Sequence, residues 1–250
     1  MKYIAAVLVF LAVLTTPLFA FEINTMTPEE RQIFRQEVRA YLLEQPEVLM
    51  EAIAVLEQRQ STAAAVSDIE LVAGNAQALF ADGNSFVGGN PQGDVTMVEF
   101  LDYKCGFCRR AHPEVAELIK TDGNIRYIIK EFPILGQEST LASRFAISVL
   151  QNSDPETYFA ASNALMTFRG NIDNSTLARL ATDLNLDVEQ IFVAMDSPAV
   201  TAVIAENKAL AQQLKINGTP GFVFGNQMVR GYLPLDGMQQ MVADVRLASR

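Results

Sequence analysis

Apolar residues follow helical spacing on both sides of a predicted α/β unit, and this pattern gives the order of the elements. Residues 27–81 carry apolar positions at helical spacing and contain few glycines. Residues 95–101 and 125–132 are compact apolar runs with β-branched content, and a helical pattern at residues 105–120 separates them. Strand, helix and strand in this order predict a parallel crossover unit, which is right-handed by default.

The second half of the chain is predicted to be a helical module, followed by a hairpin and a closing helix. Helix-start signals recur ahead of apolar faces at Asp154, Asn174, Asp187 and Ser197. Residues 222–224 and 228–230 flank a Gly-Asn-Gln turn, which is a short hairpin signal. The pattern therefore predicts an α/β domain with a helical insertion at about residues 134–215 and a last helix from Leu235 onward.

The amino-terminal helical segment begins at a strong start signal and has narrow apolar faces. Thr27 is the expected N-cap, with a proline at the first helical position and Glu30 three residues after the cap. Narrow stripes suit association between helices of different chains, and packing back onto the same chain is the alternative. The helix-breaking turn at Gly83 predicts an extension at residues 21–81 and a domain at residues 82–250.

Residues 1–20 have the composition of a signal peptide and predict export. Lys2 supplies a positive start, residues 3–14 form an apolar run too short to span a bilayer, and Ala20 is the expected cleavage position. An uncleaved anchor is the alternative. Export leads to an oxidising compartment, which tolerates paired cysteines. The formal net charge of −10 argues against a nucleic-acid partner, because phosphates would repel the protein.

The candidate chemistry is concentrated where the only two cysteines and the only histidine follow the first strand of the crossover unit. Cys105 and Cys108 enclose Gly106 and Phe107, and His112 lies one turn further along the predicted helix. Both sulfurs are expected in the first turn, where unpaired backbone N–H groups and the helix dipole favour a thiolate. A thiolate attacks disulfides, so Cys105 is predicted to be a nucleophile.

Two other interpretations of the cysteine pair stay open at this point. A structural disulfide between Cys105 and Cys108 would close a very small loop and would constrain the unfolded chain little. A structural zinc site takes four ligands, so a second chain or carboxylates would have to complete a site begun by this pair and His112. His112 itself is expected to be a packed or hydrogen-bonded helix residue. Because the set of zinc ligands within the chain is incomplete, the sequence predicts no metal, and we expect no cofactor.

Three separated motifs, in the order found here, resemble those of DsbA-type thiol–disulfide oxidoreductases. They are Glu-Phe-Leu-Asp-Tyr-Lys-Cys-Gly-Phe-Cys at residues 99–108 with His112 and Pro113, Lys-Glu-Phe-Pro-Ile-Leu-Gly at 130–136, and Gly-Thr-Pro at 218–220. The resemblance covers about residues 85–250 and implies a thioredoxin fold with a helical insertion and a periplasmic address. The helical extension resembles that of ScsC-like oligomeric members, which tend to isomerise or reduce disulfides.

The resemblance also implies roles for individual residues. Cys105 would be the exposed attacking thiol, and Cys108 would resolve the mixed disulfide. Thr219 and Pro220 match the loop whose cis-proline faces the active site, with an ordinary turn as the alternative. Glu99 matches a carboxylate buried near the resolving thiol, where it would handle a proton, with a solvated strand-face charge as the alternative. The implied partners are client proteins with thiols or disulfides, a membrane redox partner and further copies of the chain.

One departure from the family pattern changes the expected redox behaviour. DsbA itself has a histidine between its cysteines, and Gly106 and Phe107 stand there in this chain. Phe107 cannot donate a hydrogen bond to the Cys105 thiolate, so the reduced form should be less stabilised and the protein a weaker oxidant than DsbA. An oligomeric periplasmic chaperone and a copper-binding protein that uses the same two cysteines are the competing functions.

Overall fold

The computed structural model describes residues 26–248, and the predicted signal peptide at residues 1–20 lies outside this range. The elements in chain order are α1 (Pro28–Glu44), α2 (Glu47–Gly74), α3 (Ala76–Phe80), β1 (Phe86–Gly89), β2 (Val95–Leu101), α4 (Gly106–Asp122), β3 (Ile125–Glu131), α5 (Gln137–Asn152), α6 (Pro155–Thr167), α7 (Asn174–Asp183), α8 (Val188–Met195), α9 (Pro198–Gln213), β4 (Gly221–Phe224), β5 (Gln227–Arg230) and α10 (Leu235–Ala248). The described residues divide into two compact units between Arg59 and Gln60.

The first unit consists of α1 and the beginning of α2, and none of its described residues is buried. The predicted helix start is confirmed by a capping box, in which Glu30 N–H donates to Thr27 Oγ1 at 3.3 Å and Thr27 N–H donates to Glu30 Oε2 at 2.8 Å. Large apolar side chains exposed in this unit are Ile33, Phe34, Val38, Tyr41, Leu43, Leu49, Met50, Ile53, Val55 and Leu56. The predicted apolar faces are therefore uncovered within the unit.

The second unit is built on a five-stranded sheet with the order β1-β3-β2-β4-β5. Strands β2 and β3 pair in parallel, with Glu99 opposite Ile129, and the other neighbouring pairs are antiparallel. The predicted crossover unit is confirmed as β2-α4-β3. The predicted hairpin is confirmed as β4 and β5, joined by a two-residue turn in which Gly225 takes a positive φ of 57°.

Side chains of the central strands alternate between two hydrophobic cores, as the period of two in a β-strand requires. Met97 and Leu101 belong to the larger core with α4, α5, α6 and α10. Val98 and Phe100 belong to the second core, which includes side chains from α3 and the ends of α2 and α9. The helices α5 to α9 form the predicted insertion between β3 and β4, and the α/β fold class is confirmed.

The division between extension and domain differs from the predicted boundary after Ala81. Val72 of α2 and Leu79 of α3 are buried in the second core, against the sheet. The Arg230 guanidinium donates to both carboxylate oxygens of Asp68 at 2.9 and 2.8 Å, and the buried Lys130 ammonium pairs with Asp82 at 2.7 Å. Residues 60–81 thus belong to the second unit, because their apolar side chains cover one face of its sheet.

Helix α4 begins one residue later than predicted and ends two residues later. Cys105 is its N-cap residue, with extended backbone, rather than its first helical residue. The helix ends at Gly123, which adopts the left-handed conformation with φ 69° that glycine favours. Within residues 26–248 no single helix is long and apolar enough to cross a membrane, although α8 and α9 together reach that length and apolarity across a 53° bend.

Candidate active site

A short loop between β2 and α4 places the cysteine pair at the end of the sheet. The buried Asp102 carboxylate fixes this loop by accepting hydrogen bonds from the backbone N–H groups of Lys104 at 2.8 Å, Ile134 at 2.8 Å and Leu135 at 3.0 Å. The backbone N–H of Cys105 donates to the carbonyl oxygen of Asp102 at 3.0 Å. The loop therefore holds Cys105 as the N-cap of α4, where unpaired N–H groups stabilise negative charge.

Cys105 carries a sulfur whose surroundings favour the thiolate. Its Sγ accepts a hydrogen bond from the backbone N–H of Cys108 at 3.4 Å, as an N-cap side chain does. Its pKa is lowered to about 5, chiefly by the hydrogen bond from the Cys108 thiol, with the Thr219 side chain and the N–H groups of Cys108 and Phe107 adding to the effect. At pH 7 the Cys105 thiol is therefore almost fully ionised.

Cys105 is less exposed than the family resemblance implies. The residue is only 6% exposed, compared with 0% for Cys108. The Thr219 carbonyl oxygen lies 3.2 Å from its Sγ, within reach of the thiol proton. The expectation of an openly exposed thiol was wrong, because the loop containing Thr219 covers part of the sulfur.

Cys108 has the opposite electrostatic surroundings from Cys105. Burial raises the pKa of the Cys108 thiol far above its usual range, and its hydrogen bond to Cys105 and the nearby charge of Glu99 raise it further. One turn of helix thus separates a thiolate from a protonated thiol. Both cysteines are unpaired in this structure.

Glu99 on β2 is a buried carboxyl that interacts electrostatically with both cysteines. Its negative charge raises the pKa of Cys108, and the charge of Cys105 raises the pKa of Glu99. Burial is the largest influence and raises the pKa of Glu99 from 4.5 to about 7, while a short hydrogen bond donated by the Tyr127 hydroxyl lowers it. Sequence reasoning missed Tyr127. Glu99 is paired with Ile129 on β3, and Tyr127 lies two positions before Ile129. Alternate residues of a strand point to the same face, so the Tyr127 hydroxyl on the face of Glu99 was the available signal.

The buried position of Glu99 predicts a pH-dependent effect on stability. Because its folded-state pKa is raised, the stability it contributes is fully present below pH 4.5 and is lost as the pH rises through about 7. We expect Glu99→Gln to stabilise the reduced protein above pH 7 by up to about 3 kcal/mol and to have little effect near pH 4. Urea unfolding of both proteins at the two pH values tests this, and an equal difference at both would contradict it.

The loop before β4 faces the cysteines. The Thr219–Pro220 peptide bond is cis, and the Pro220 carbonyl oxygen accepts a hydrogen bond from Gly231 N–H at 3.0 Å. Thr219 approaches Cys105 through its main chain, and its side chain contributes to lowering the Cys105 pKa. The structure therefore brings the Gly-Thr-Pro motif and the Cys-Gly-Phe-Cys motif together, although 114 positions separate Thr219 from Cys105.

The remaining predicted residues flank the sulfurs in different ways. Gly106 begins α4, and the ring of Phe107 is 58% exposed, with its centroid 6.1 Å from that of Tyr232. His112 Nε2 lies 2.9 Å from Asn163 Oδ1 on α6, so its contact is with the helical insertion. This hydrogen bond agrees with the prediction of a hydrogen-bonded helix residue.

A second buried carboxyl, Glu131 on β3, ties the active-site loop to the helical insertion. Its carboxylate accepts hydrogen bonds at 2.7 Å from the hydroxyls of Tyr103, Tyr158 and Ser143. Burial raises the pKa of Glu131 to about 7. Tyr103 lies two residues before Cys105, so this network helps to hold the loop that positions the thiolate.

Metal-ligating groups are sparse around the cysteines. Within residues 26–248, no three His, Cys, Asp or Glu side chains lie close enough together to form a metal site.

Comparison with known proteins agrees with this geometry. A family model described as thioredoxin matches residues 81–244, and one described as the N-terminal domain of the copper resistance protein ScsC matches residues 30–63. A thioredoxin-like oxidoreductase from Silicibacter pomeroyi DSS-3 is 43% identical, covers 68% of this chain and 96% of its own, and has a TM-score of 0.64. BcfH from Salmonella enterica Typhimurium is 27% identical over 87% of this chain and 96% of its own, with a TM-score of 0.72.

Two further similarities concern the extension and the chain length. ScsC from Proteus mirabilis, in a transitional conformation, is 25% identical over 91% of this chain and 99% of its own, with a TM-score of 0.66. The antiporter NhaA 1 from Salinispora arenicola is 25% identical over 164 residues, which are 66% of this chain and 25% of that protein. The chain therefore spans about a quarter of the length of the first curated relatives that it matches.

A Cys-x-x-Cys pair at the start of a helix, opposite a cis-proline loop on a sheet of this order, is the arrangement of a thiol–disulfide oxidoreductase. The thioredoxin family model covers more than half of the chain, so the protein belongs to the thioredoxin family, among the thiol–disulfide oxidoreductases of the DsbA and ScsC type. The predicted family and enzyme class are confirmed.

Proposed function

We propose that the protein is an exported periplasmic oxidoreductase, in which Cys105 exchanges disulfides with client proteins and Cys108 resolves the mixed disulfide. The observation that carries this proposal is the difference between the two sulfurs, because the pKa of Cys105 is lowered to about 5 while burial raises that of Cys108. A nucleophile must be ionised before it attacks, and a resolving thiol is best kept protonated until the mixed disulfide has formed. The composition of residues 1–20 supports export.

The reducing direction of the exchange can be written with each residue in its proposed role. The Cys105 thiolate attacks one sulfur of a client disulfide, forms a mixed disulfide, and releases the other client sulfur as a thiolate that takes up a proton. Cys108 then transfers its proton to the Glu99 carboxylate and attacks the Cys105 sulfur. The Cys105–Cys108 disulfide closes, the second client thiolate leaves, and two electrons have passed from the protein to the client. The oxidising direction is the reverse of these steps.

The main chain beside the cis-proline is the proposed docking site for a client segment. Pro220 has no N–H group, and the Thr219 main chain lies beside the Cys105 sulfur. An extended client segment could therefore pair with Thr219 while its own sulfur approaches Cys105. The exposed Phe107, which lies between the two cysteines in the sequence, offers an apolar side chain to the same segment.

We propose further that the protein works as an oligomeric isomerase and exchanges electrons with a membrane redox partner. The first unit leaves its apolar side chains uncovered, and the family match at residues 30–63 falls on this unit. Self-association of these helices would hold several active sites around one client, which raises the effective concentration of the attacking thiols. Phe107, in place of a hydrogen-bonding residue, supports a role as a weaker oxidant than DsbA.

The redox equilibrium with glutathione tests the proposed role as a weak oxidant and the contribution of Thr219. We expect a reduction potential more negative than about −120 mV, the value typical of DsbA. Thr219→Val should make the potential more negative by roughly 30–65 mV, because loss of a hydrogen bond worth about 1.5–3 kcal/mol destabilises the thiolate form. Thr182→Val on α7 makes the same chemical change away from the sulfurs and should leave the potential unchanged. A Thr219→Val potential equal to that of the wild type would remove the Thr219 side chain from the site.

A further inference from the structure

Four basic residues lie on the loop and helix that carry the proposed nucleophile and on a neighbouring loop, in a protein with a net negative charge. Lys104 precedes Cys105, Arg109 and Arg110 lie at the start of α4, and Arg169 follows α6. We call Lys104, Arg109, Arg110 and Arg169 the cationic rim. The chain as a whole has 29 acidic and 19 basic residues and a net charge of −10. Carboxylates also lie near the thiolate, since the buried Glu99 interacts with both cysteines and Glu138 pairs with Lys104, so the exposed arginines, unpaired within residues 26–248, are the cations open to a client.

Tertiary contacts bring the fourth member of the rim to the other three. The Lys104 ammonium donates to the Gly170 carbonyl oxygen at 3.3 Å, which places the loop carrying Arg169 beside the active-site loop. Burial is the largest influence that lowers the pKa of Arg109, and repulsion from Arg169 lowers it further, whereas nearby negative groups, including the Cys105 thiolate, raise it. Arg109 and Arg169 are thus close enough to interact as like charges.

The rim is only partly neutralised by the described residues. Lys104 pairs with Glu138 at 2.7 Å, whereas Arg109, Arg110 and Arg169 form no ion pair within residues 26–248. Arg109 donates from Nε to the Tyr103 carbonyl oxygen at 2.8 Å, and its Nη2 is buried with no hydrogen-bond partner in the described chain. Because this Nη2 is buried, a client carboxylate cannot reach it, and the exposed guanidinium groups of Arg110 and Arg169 are the suitable partners for a carboxylate.

The cations lie on two sides of the helix start. Arg109 contacts Tyr103 and lies toward the loop of Arg169. Arg110 lies on the side of Tyr232, with its guanidinium carbon 4.5 Å from the centroid of that ring. A client segment that crosses Cys105 would therefore meet an arginine before and after its own cysteine, although the Glu114 carboxylate, which accepts a hydrogen bond from the Tyr232 hydroxyl at 2.8 Å, also lies on the Arg110 side.

We propose that the cationic rim selects client segments that carry acidic side chains on both sides of the reacting cysteine. This inference rests on the proposed function, because it names the class of substrate for the same exchange. Opposite charges raise the rate of encounter and disfavour clients with basic residues at these positions. The exposed ring of Phe107 and the half-buried ring of Tyr232 add an apolar contact on the Arg110 side.

Alkylation with reagents of different charge measures the field at the sulfur. We expect the rate ratio of anionic iodoacetate to neutral iodoacetamide for Cys105, at low ionic strength, to exceed the ratio measured for 2-mercaptoethanol. The double variant Arg110→Gln/Arg169→Gln should lower this ratio roughly threefold, the size expected for two surface charges under weak screening. Lys120→Gln removes the same kind of charge from the other end of α4 and should not change it.

The two reagents separate failure of this inference from failure of the proposed function. If Cys105 reacts rapidly with iodoacetamide but the charge ratio equals that of 2-mercaptoethanol, the field is absent and the inference is wrong. If the iodoacetamide rate is itself no faster than that of an ordinary thiol, Cys105 is not an activated nucleophile and the proposed function fails. A ratio lowered equally by Lys120→Gln would show a general effect of net charge, which would also overturn the inference.

Two peptides test the substrate class directly. Each contains one cysteine as a mixed disulfide with the same small thiol, flanked on both sides by aspartate in one peptide and by lysine in the other. The reduced wild-type protein should react faster with the aspartate peptide, and the preference should shrink with added salt and in Arg110→Gln/Arg169→Gln. Equal rates, or a faster lysine peptide, would overturn the proposal. The proposal would also be overturned if removing the arginines slowed the reaction with glutathione disulfide but not with the aspartate peptide. In that case the cationic rim would recognise a small thiol rather than a client segment.

Discussion

Replacing Cys108 by serine should trap client proteins on Cys105 as stable mixed disulfides, whereas replacing Cys105 by serine should trap none. The reason is the division of roles between the two sulfurs. Without the Cys108 thiol the mixed disulfide has no internal group to resolve it, and without Cys105 the remaining sulfur is buried and protonated at neutral pH. Thiol-specific pull-down from a periplasmic extract, followed by reduction and mass spectrometry, measures the trapped clients.

Catalytic turnover is a second measurement on the same two serine variants. Cys105→Ser should lower reduction of insulin by dithiothreitol to the uncatalysed rate, because a serine hydroxyl is not ionised at neutral pH and does not attack disulfides. Cys108→Ser should lose most of its turnover while keeping the first attack. Trapping on Cys108 in the Cys105→Ser variant would reverse the assigned roles.

Acidic substitutions on the exposed face of the first unit should convert the proposed oligomer to single chains and abolish the proposed isomerase activity. Phe34, Val38 and Leu49 line a groove of about 390 Å³ within that unit. The triple variant Phe34→Glu/Val38→Glu/Leu49→Glu places negative charges there, which an apolar helix–helix interface cannot bury without a large cost. Light scattering measures the mass, and recovery of a scrambled-disulfide substrate measures isomerisation.

A control and a truncation complete this experiment. Val193→Glu introduces the same chemical change at an exposed apolar position on α8 of the second unit and should alter neither mass nor isomerisation. A truncation should begin at Gln60 rather than at Asp82, since a chain that starts at Asp82 lacks Val72 and Leu79 from the second core. If the triple variant keeps the mass and activity of the wild type, the first unit has another purpose.

The strand-helix-strand unit, the hairpin and the inserted helices could be predicted from sequence, because each has its own local pattern. Compact β-branched runs mark β2 and β3, and a Gly-Asn turn marks the β4–β5 connection. These signals depend on a few neighbouring residues and on the period of the element. These local patterns can be recognised without knowing which surfaces pack against each other in the folded protein.

The errors occurred where the outcome depends on contacts between distant segments. A helical stripe shows that Val72 and Leu79 lie on apolar faces, but it does not show whether a second chain or the chain's own sheet covers them. The burial of Cys105 depends on a loop 114 positions later. The bond from Tyr127 to Glu99 depends on the register between β2 and β3, which the sequence pattern leaves open.

The dependence of the alkylation rate on pH, with each cysteine followed separately by mass spectrometry, tests the central claim most directly. The claim is that Cys105 is the activated nucleophile of the exchange reaction. The structure predicts that Cys105 reacts first and that its rate follows a single ionisation with a pKa of about 5. Modification of Cys108 ahead of Cys105, or a Cys105 pKa at or above the free-thiol value of about 8.5, would contradict it.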